Sequence, residues 1–242
     1  MALNKSAACG GTGPFHALIV IFHQPVRTFA ALELRKAAWL PCVLLMIATT
    51  VLLSWYCSIV DFAWLNDDLA AGVRKADEQE QMKAMLNKQL FQTRAIAGSL
   101  VMLLLPMAVL GAYFQFVGKI LNRDMSFASG FALSAWSSVP ALLSFPIGAV
   151  QILLSPDGQL AMYELNPLSL NYIFFQHETW HPMAGLLDSV SVQIVWSIVL
   201  MVIGFQVWGK VALSTAVKVV LIPYATIYGL WLAVALSRAS AV

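Results

Sequence analysis

Five long apolar stretches alternate with polar segments along this 242-residue chain. They cover residues 39–60, 95–117, 127–154, 186–208 and 211–236. As an α-helix, each is long enough to cross about 30 Å of hydrocarbon, a distance that takes about 20 residues. The pattern predicts a single domain built from five membrane-spanning helices.

The composition supports this interpretation, because only 11% of the residues are charged and 60% are hydrophobic. Soluble domains carry about 25% charged residues, which their water-facing surface requires. The charges inside the apolar stretches lie near the ends, Asp188 in the fourth and Lys218 in the fifth. We therefore expect an all-α membrane protein whose immediate partner is the lipid bilayer. The small net charge of +2 and the scattered basic residues exclude nucleic acid as a partner.

Basic residues collect on one side of the predicted bundle. They occur before the first span, after the second and before the fifth, at Lys5, Arg27, Arg35, Lys36, Lys119, Arg123 and Lys210. Residues 155–185, on the other side, contain no Lys or Arg. Because positively charged loops remain in the cytoplasm, we expect a cytoplasmic N-terminus and an extracytoplasmic tail at residues 237–242. The expected location is the bacterial inner membrane.

Two segments outside the spans also show helical patterns. Residues 1–38 contain an apolar run too short to cross a membrane, followed by Pro25, which suits a first helical turn. We expect one or two helices there, lying in the cytoplasmic interface. In the first of two longer extracytoplasmic segments, residues 66–93 predict a helix that is capped by Asn66 and continues into the second span. Its expected role is packing on the bundle, with partner binding as the alternative.

One short motif suggests metal chemistry, the H-E-x-x-H sequence from His177 to His181. On a helix, histidines four residues apart share a face and can bind zinc, while Glu178 acts as the base. Pro182 disfavours a helical His181, however, and a third ligand would have to be Glu164 or Asp188. A zinc-dependent membrane hydrolase is therefore only an alternative, and we expect neither a metal nor another cofactor.

Small and polar residues within the spans indicate two further possibilities. Gly130, Ser134 and Ser138 lie four residues apart and predict close packing of a neighbouring helix. A transporter or channel would instead use polar side chains to border a cavity. The candidates are Ser134, Ser137, Gln151, Gln193 and Gln206. The absence of charge from the centres of the spans argues against coupling to ions or protons.

Four segments in this order resemble the Yip1 family in its shorter bacterial form. Residues 25–32 match a P-x-x-T-F-x-x-L pattern before the first span. Residues 119–140 are similar to the family's short inner loop followed by an aromatic-Ser-Ser-x-Pro segment, and residues 166–171 and 186–205 continue the similarity. The resemblance covers about residues 14–236 and implies five transmembrane helices, a cytoplasmic N-terminal part and no catalytic centre.

The resemblance also bears on function. Eukaryotic members of the family are partners of small GTPases in vesicle traffic, but the D-L-x-G-P segment of those members is absent here. We therefore expect a non-enzymatic scaffold or adaptor that acts through helix packing with itself or other membrane proteins, with a possible role in lipid organisation. Transport of a small molecule or lipid is the first alternative.

Overall fold

Helices account for nearly all the regular structure in the computed structural model, which describes residues 13–33, 38–73, 75–85 and 87–239. Arg35 and Lys36, used above for orientation, lie outside these ranges, as does Lys5. In chain order the helices are α1 Pro14–Val20, α2 Pro25–Leu32, α3 Trp39–Ile59, α4 Phe62–Ala70, α5 Ala76–Met85, α6 Lys88–Ile120, α7 Phe127–Ser137, α8 Ser144–Leu154, α9 Ala184–Ser189, α10 Val192–Gly209 and α11 Leu213–Ala239. The described residues contain no β-strand, only an isolated bridge between Ser169 and Ser191.

Among the described residues, five helical segments are long and apolar enough to cross a membrane. They are α3, α6, α7 with α8, α10 and α11. This confirms the predicted all-α membrane fold. Five crossings place the segments before α3 and the loops after α6 and α10 on one side, called here the N-terminal side. The helices α4 and α5, the segment between α8 and α10, and the end of α11 share the opposite, distal side.

The third span is broken rather than continuous. After α7 ends at Ser137, a 3₁₀ turn runs from Val139 to Leu143 and α8 then completes the crossing. Pro140 lies in the first turn of the 3₁₀ segment. Because proline lacks an N–H, it cannot donate the hydrogen bond that would continue α7. The freed backbone packs inside the bundle against α10.

The distal helices differ from the sequence-based expectation in where they begin. Asp61, not Asn66, caps α4, since its Oδ1 accepts hydrogen bonds from the N–H groups of Ala63 and Trp64. Asn66 lies inside α4 and donates to the Lys83 carbonyl at 3.2 Å. The segment is not one helix continuing into the second span. Helices α4 and α5 are separate, and Asn87 caps a new helix, α6.

The last two spans also have shifted boundaries. The fourth begins at Val192 rather than at residue 186, because the chain leaves the short helix α9 at Val190 and starts α10 with Ser191 as its cap. The fifth runs to Ala239, beyond the expected end at residue 236. Part of the predicted extracytoplasmic tail is therefore helical.

In the described part of the N-terminal segment, residues 13–33, the chain forms two helices, and the second is part of the bundle. Phe29 of α2 is fully buried, and its carbonyl accepts a 2.7 Å hydrogen bond from Trp208 Nε1 of α10. Gly204 makes room for this contact, because a Cβ there would lie 2.8 Å from the Phe29 ring. The apolar side chains of Phe15 and Ile19 in α1 stay exposed. The position of this segment in the membrane interface stays a prediction.

Candidate functional site

The H-E-x-x-H motif lies on the distal side in a turn, not in a helix. The His181 N–H donates to the Glu178 carbonyl at 2.9 Å, which closes the turn. Buried Asn171 holds the preceding residue, because its side chain accepts from the His177 N–H at 2.9 Å and donates to the His177 carbonyl at 3.0 Å. The two imidazole rings consequently stack, with centroids 3.7 Å apart and planes 15° from parallel.

This stacking is unfavourable for zinc binding. The lone pairs of an imidazole lie in the ring plane, so two parallel rings do not direct them at one ion about 2.0–2.1 Å away. Of the two proposed third ligands, Glu164 is engaged elsewhere. Glu164 Oε2 accepts from the Ala161 N–H at 2.7 Å. The pKa of Asp188 is raised, because burial raises it more than a hydrogen bond to Asn171 lowers it. Within the described ranges, His, Cys, Asp and Glu form no group of three that could hold a metal ion.

The electrostatics of the turn favour neutral side chains. Burial first, and then the nearby His177, lower the pKa of His181. The Met183 N–H also donates to His181 Nδ1 at 3.2 Å, which requires that nitrogen to carry a lone pair. Burial first, and then the charge of Glu178, raise the pKa of Asp68. The distal side therefore holds a titratable cluster whose two stacked histidines do not converge on one ion.

The cavity-lining candidates lie at more than one depth of the bundle. Ser137 and Gln193 are both buried, and Gln193 Nε2 donates to the side chain of Asn166 at 3.2 Å. Gln151 Nε2 donates instead to the Glu164 carbonyl at 3.0 Å. Gln206 is half-buried and lies further along α10 from Gln193, about 20 Å by the helical rise. Ser137 Oγ and Gln193 Oε1 nevertheless lack a hydrogen-bond partner among the described residues.

The predicted packing residues lie at a contact within the chain. A Cβ on Gly130 would be 2.7 Å from the Gly111 carbonyl oxygen, so α6 and α7 approach closely at this point. The hydroxyls of Ser134 and Ser138 donate within their own helix, to the carbonyls of Gly130 and Ser134. Gly130 therefore carries the interhelical contact, while the two serines satisfy their hydroxyls locally.

A second stripe of small residues, which the sequence interpretation missed, lies on α11. Ala225, Gly229 and Ala233 are four residues apart and exposed. A Cβ built on Gly229 would meet nothing within 4 Å. The spacing could have revealed this stripe, but the same pattern at Gly130 is internal, and only the structure separates the two cases.

Comparison with known proteins identifies the family. The family model described as the Yip1 domain matches residues 19–236, nearly the whole chain. Comparisons with curated proteins and with solved structures found no significant match. The match covers all five spans and the α2 segment that packs on them. This chain is therefore an integral membrane protein that belongs to the Yip1 domain family.

Proposed function

We propose that this protein is a non-enzymatic membrane scaffold that associates with a second copy of itself through α11. The observation that carries the proposal is the exposure of this helix. Its first half is anchored, with Ala216, Val219 and Val220 buried. Beyond Val220, Ala235 is the one residue of α11 classed as buried.

The anchored half of α11 fixes the position of the open half. Tyr113 Oη of α6 donates to the Val219 carbonyl at 2.8 Å, and Val220 lies in one core cluster with Met201 of α10. Further along, Tyr228 Oη donates to the Ser189 carbonyl at 3.4 Å. These contacts leave the small-residue stripe facing away from the bundle, where a partner helix can reach it.

The small-residue stripe supports a helix as the occupant and a second copy as its source. In lipid, where apolar exposure has no cost, helices associate through close backbone approach, which small residues four apart allow. A two-fold axis would bring Gly229 against Gly229 of a second copy, so the stripe is self-complementary. Ala225 and Ala233 would extend the contact by one turn in each direction.

The test compares association in membranes. The full chain is labelled in two colours, reconstituted in lipid vesicles at low density, and followed by energy transfer between copies. We expect Gly229→Leu to reduce association about tenfold, the effect of losing 1–2 kcal/mol of close packing. Ala112→Leu adds the same bulk at an exposed position of α6 and serves as the control. A wild-type chain that remains monomeric would overturn the proposal.

The orientation in the membrane is part of the proposal, with the N-terminal side in the cytoplasm. Lys119, Arg123 and Lys210 support it, because positively charged loops remain inside. Reporter proteins that are active on only one side of the membrane, fused after α6 and after α11, should report opposite sides. The same side for both fusions would contradict five crossings, and inverted signals would contradict the orientation.

Transport is the second candidate, favoured by the broken third span. Discontinuous helices line the substrate sites of transporters, and Ser137 ends α7 at the break with an unpartnered hydroxyl. With the three native cysteines replaced, a Ser137→Cys chain tests whether water reaches this point. Modification by a membrane-impermeant thiol reagent would support transport, and complete protection in folded protein would argue against it.

A further inference from the structure

A groove runs along the distal half of the second span, on a different helix from the proposed association surface. It has a volume of about 400 Å³ and is bordered mostly by apolar side chains. One face of α6 and one residue of the segment between α8 and α10 form it: Leu90, Phe91, Arg94, Ala95, Gly98, Ser99, Met102 and Met162. A volume of this size is within the range of small-molecule sites.

The middle of the groove is open because Gly98 has no side chain. A Cβ at Gly98 would meet nothing within 4 Å, and Met102, one turn further, is 68% exposed. On the other border, Met162 belongs to the 3₁₀ turn Met162–Leu165 of the distal segment. The groove therefore opens towards lipid. Its distal end lies between α6 and the 3₁₀ turn that contains Met162.

Arg94 gives the groove a charge at one definite depth. It precedes the apolar run of residues 95–117, which as a helix covers about 34 Å and so fills the hydrocarbon core. The Arg94 side chain is thus at the level of the lipid headgroups. Neighbouring Lys88 donates to the Ser58 carbonyl at 3.4 Å. No carboxylate of the described residues forms an ion pair with Arg94.

We propose that this groove binds an anionic phospholipid, with the phosphate on Arg94 and an acyl chain lying over Gly98. Guanidinium groups bind phosphate oxygens through paired, charge-assisted hydrogen bonds. The apolar face below matches an acyl chain. Charge complementarity favours lipid over a protein helix here, because a helix packed on this face would place an unpaired arginine in its interface.

The proposed lipid site is separate from the proposed scaffold surface, and either proposal can fail without the other. The association stripe is on α11, whereas this groove is on α6 and contains none of the stripe's residues. A chain that dimerises normally without retaining lipid would leave the scaffold proposal intact and remove this one.

The experiment measures bound lipid on the intact protein. The full chain in mild detergent is mixed with phosphatidylglycerol or with phosphatidylcholine, and bound lipids are counted by native mass spectrometry. We expect wild type to retain phosphatidylglycerol in preference to phosphatidylcholine. Arg94→Gln and Gly98→Leu should each reduce the retention of phosphatidylglycerol about tenfold, the loss expected for one charged hydrogen-bonded contact or a blocked groove.

Two matched controls test whether the effect is specific. Ala97→Leu adds bulk beside Gly98 at an exposed position outside the groove, and Arg238→Gln removes a charge from the same side of the membrane. Both should retain lipid as wild type does. Equal retention of the two lipids, or unchanged retention in Arg94→Gln, would overturn the proposal. So would a Gly98→Leu chain that loses self-association while keeping its lipid, because the groove would then hold a helix.

Discussion

The two ends of the bundle are built on different principles. At the N-terminal side, aromatic rings fill the core, with Phe29 edge-on to Trp208 at 5.8 Å and Phe114 beside Phe205 at 5.2 Å. The indole N–H that this packing buries is satisfied by the Phe29 carbonyl. At the distal side, several buried side-chain oxygen atoms have no hydrogen-bond partner. Among the described residues these atoms are Asn66 Oδ1, Asp68 Oδ2, Asp188 Oδ1 and Gln193 Oε1.

This difference indicates which end can change. A well-packed apolar core has one low-energy arrangement, whereas each unsatisfied buried polar atom costs about 1–3 kcal/mol. The distal side therefore holds oxygen atoms to which a bound ligand, a water molecule or a proton can supply a missing partner. We expect substitutions at the N-terminal side to reduce stability and substitutions at the distal side to alter local opening or its dependence on pH.

Truncating the aromatic core should have the largest effect. Phe29→Ala removes a fully buried ring and leaves a cavity against Gly204 and Trp208. We expect a loss of about 3 kcal/mol, measured by thermal unfolding in detergent. Phe15→Ala, which truncates an exposed ring on the same side, should change stability little. Equal losses in the two variants would show that the buried ring contributes no more to stability than an exposed one on the same side.

Adding a methyl group where two distal segments pack closely should have a smaller, local effect on stability. The turn that contains His177 and His181 is called here the histidine turn. A Cβ at Gly72, just after α4, would overlap the Cβ of Trp180 in this turn. Gly72→Ala should therefore push the turn away, at a cost of about 1–3 kcal/mol. Hydrogen exchange should quicken at residues 177–189 and stay unchanged in α2. Gly13→Ala, where a Cβ meets nothing, is the control, and uniform loosening of the whole chain would contradict the assignment.

The spans could be predicted well from the sequence, because a long and continuous apolar stretch marks each of them. Breaks within helices depend on tertiary contacts, as the prolines show. Pro106 and Pro223 lie inside the continuous helices α6 and α11, whereas Pro140 interrupts the third span. All three lack the same N–H, so proline alone could not identify the break. What distinguishes Pro140 is that the residues around it pack against α10.

The candidate site was harder to predict, since residues distant in sequence shape it. The H-E-x-x-H motif was visible, but Asn171, which fixes the turn, carries no recognisable signal six residues before His177. Similarly, Asp61 and Asn66 are both suitable helix caps. The structure uses Asp61 as the cap. The helix that begins there buries Leu65 and places the ring centroids of Phe62 and Phe91 6.0 Å apart.

Removing a buried charge from the distal side should be mildly stabilising. Burial raises the pKa of Asp188 above its usual 3.8, so the charged form costs stability as pH rises through the raised value. Asp188→Asn avoids this cost and keeps an acceptor for Asn171. We expect a gain of about 1 kcal/mol or less at pH 8, shrinking towards acidic pH, in thermal unfolding. Asp157→Asn, in an exposed turn, is the control. A gain that persists unchanged at low pH would contradict the electrostatic cause.

The smallest expected effect is the pH dependence of the histidine turn. Acid should destabilise this turn, whereas protonation of the Asp188 carboxyl has the opposite effect. The pKa of His181 is lowered from its usual 6.5, so the unfolded turn binds protons more readily and stability is lost as pH falls below about 6.5. Protonation would also break the hydrogen bond from the Met183 N–H and repel His177 across the stacked rings. Hydrogen exchange at residues 177–189, corrected for intrinsic rates, should therefore accelerate between pH 7.5 and pH 5.5. His181→Gln should abolish the acceleration, while His16→Gln, exposed on the N-terminal side, should not. Asp188 contributes with the opposite sign, because its raised pKa stabilises the folded turn as the carboxyl takes up a proton. An acceleration that persists in His181→Gln would show that this histidine does not set the response of the distal side to acid.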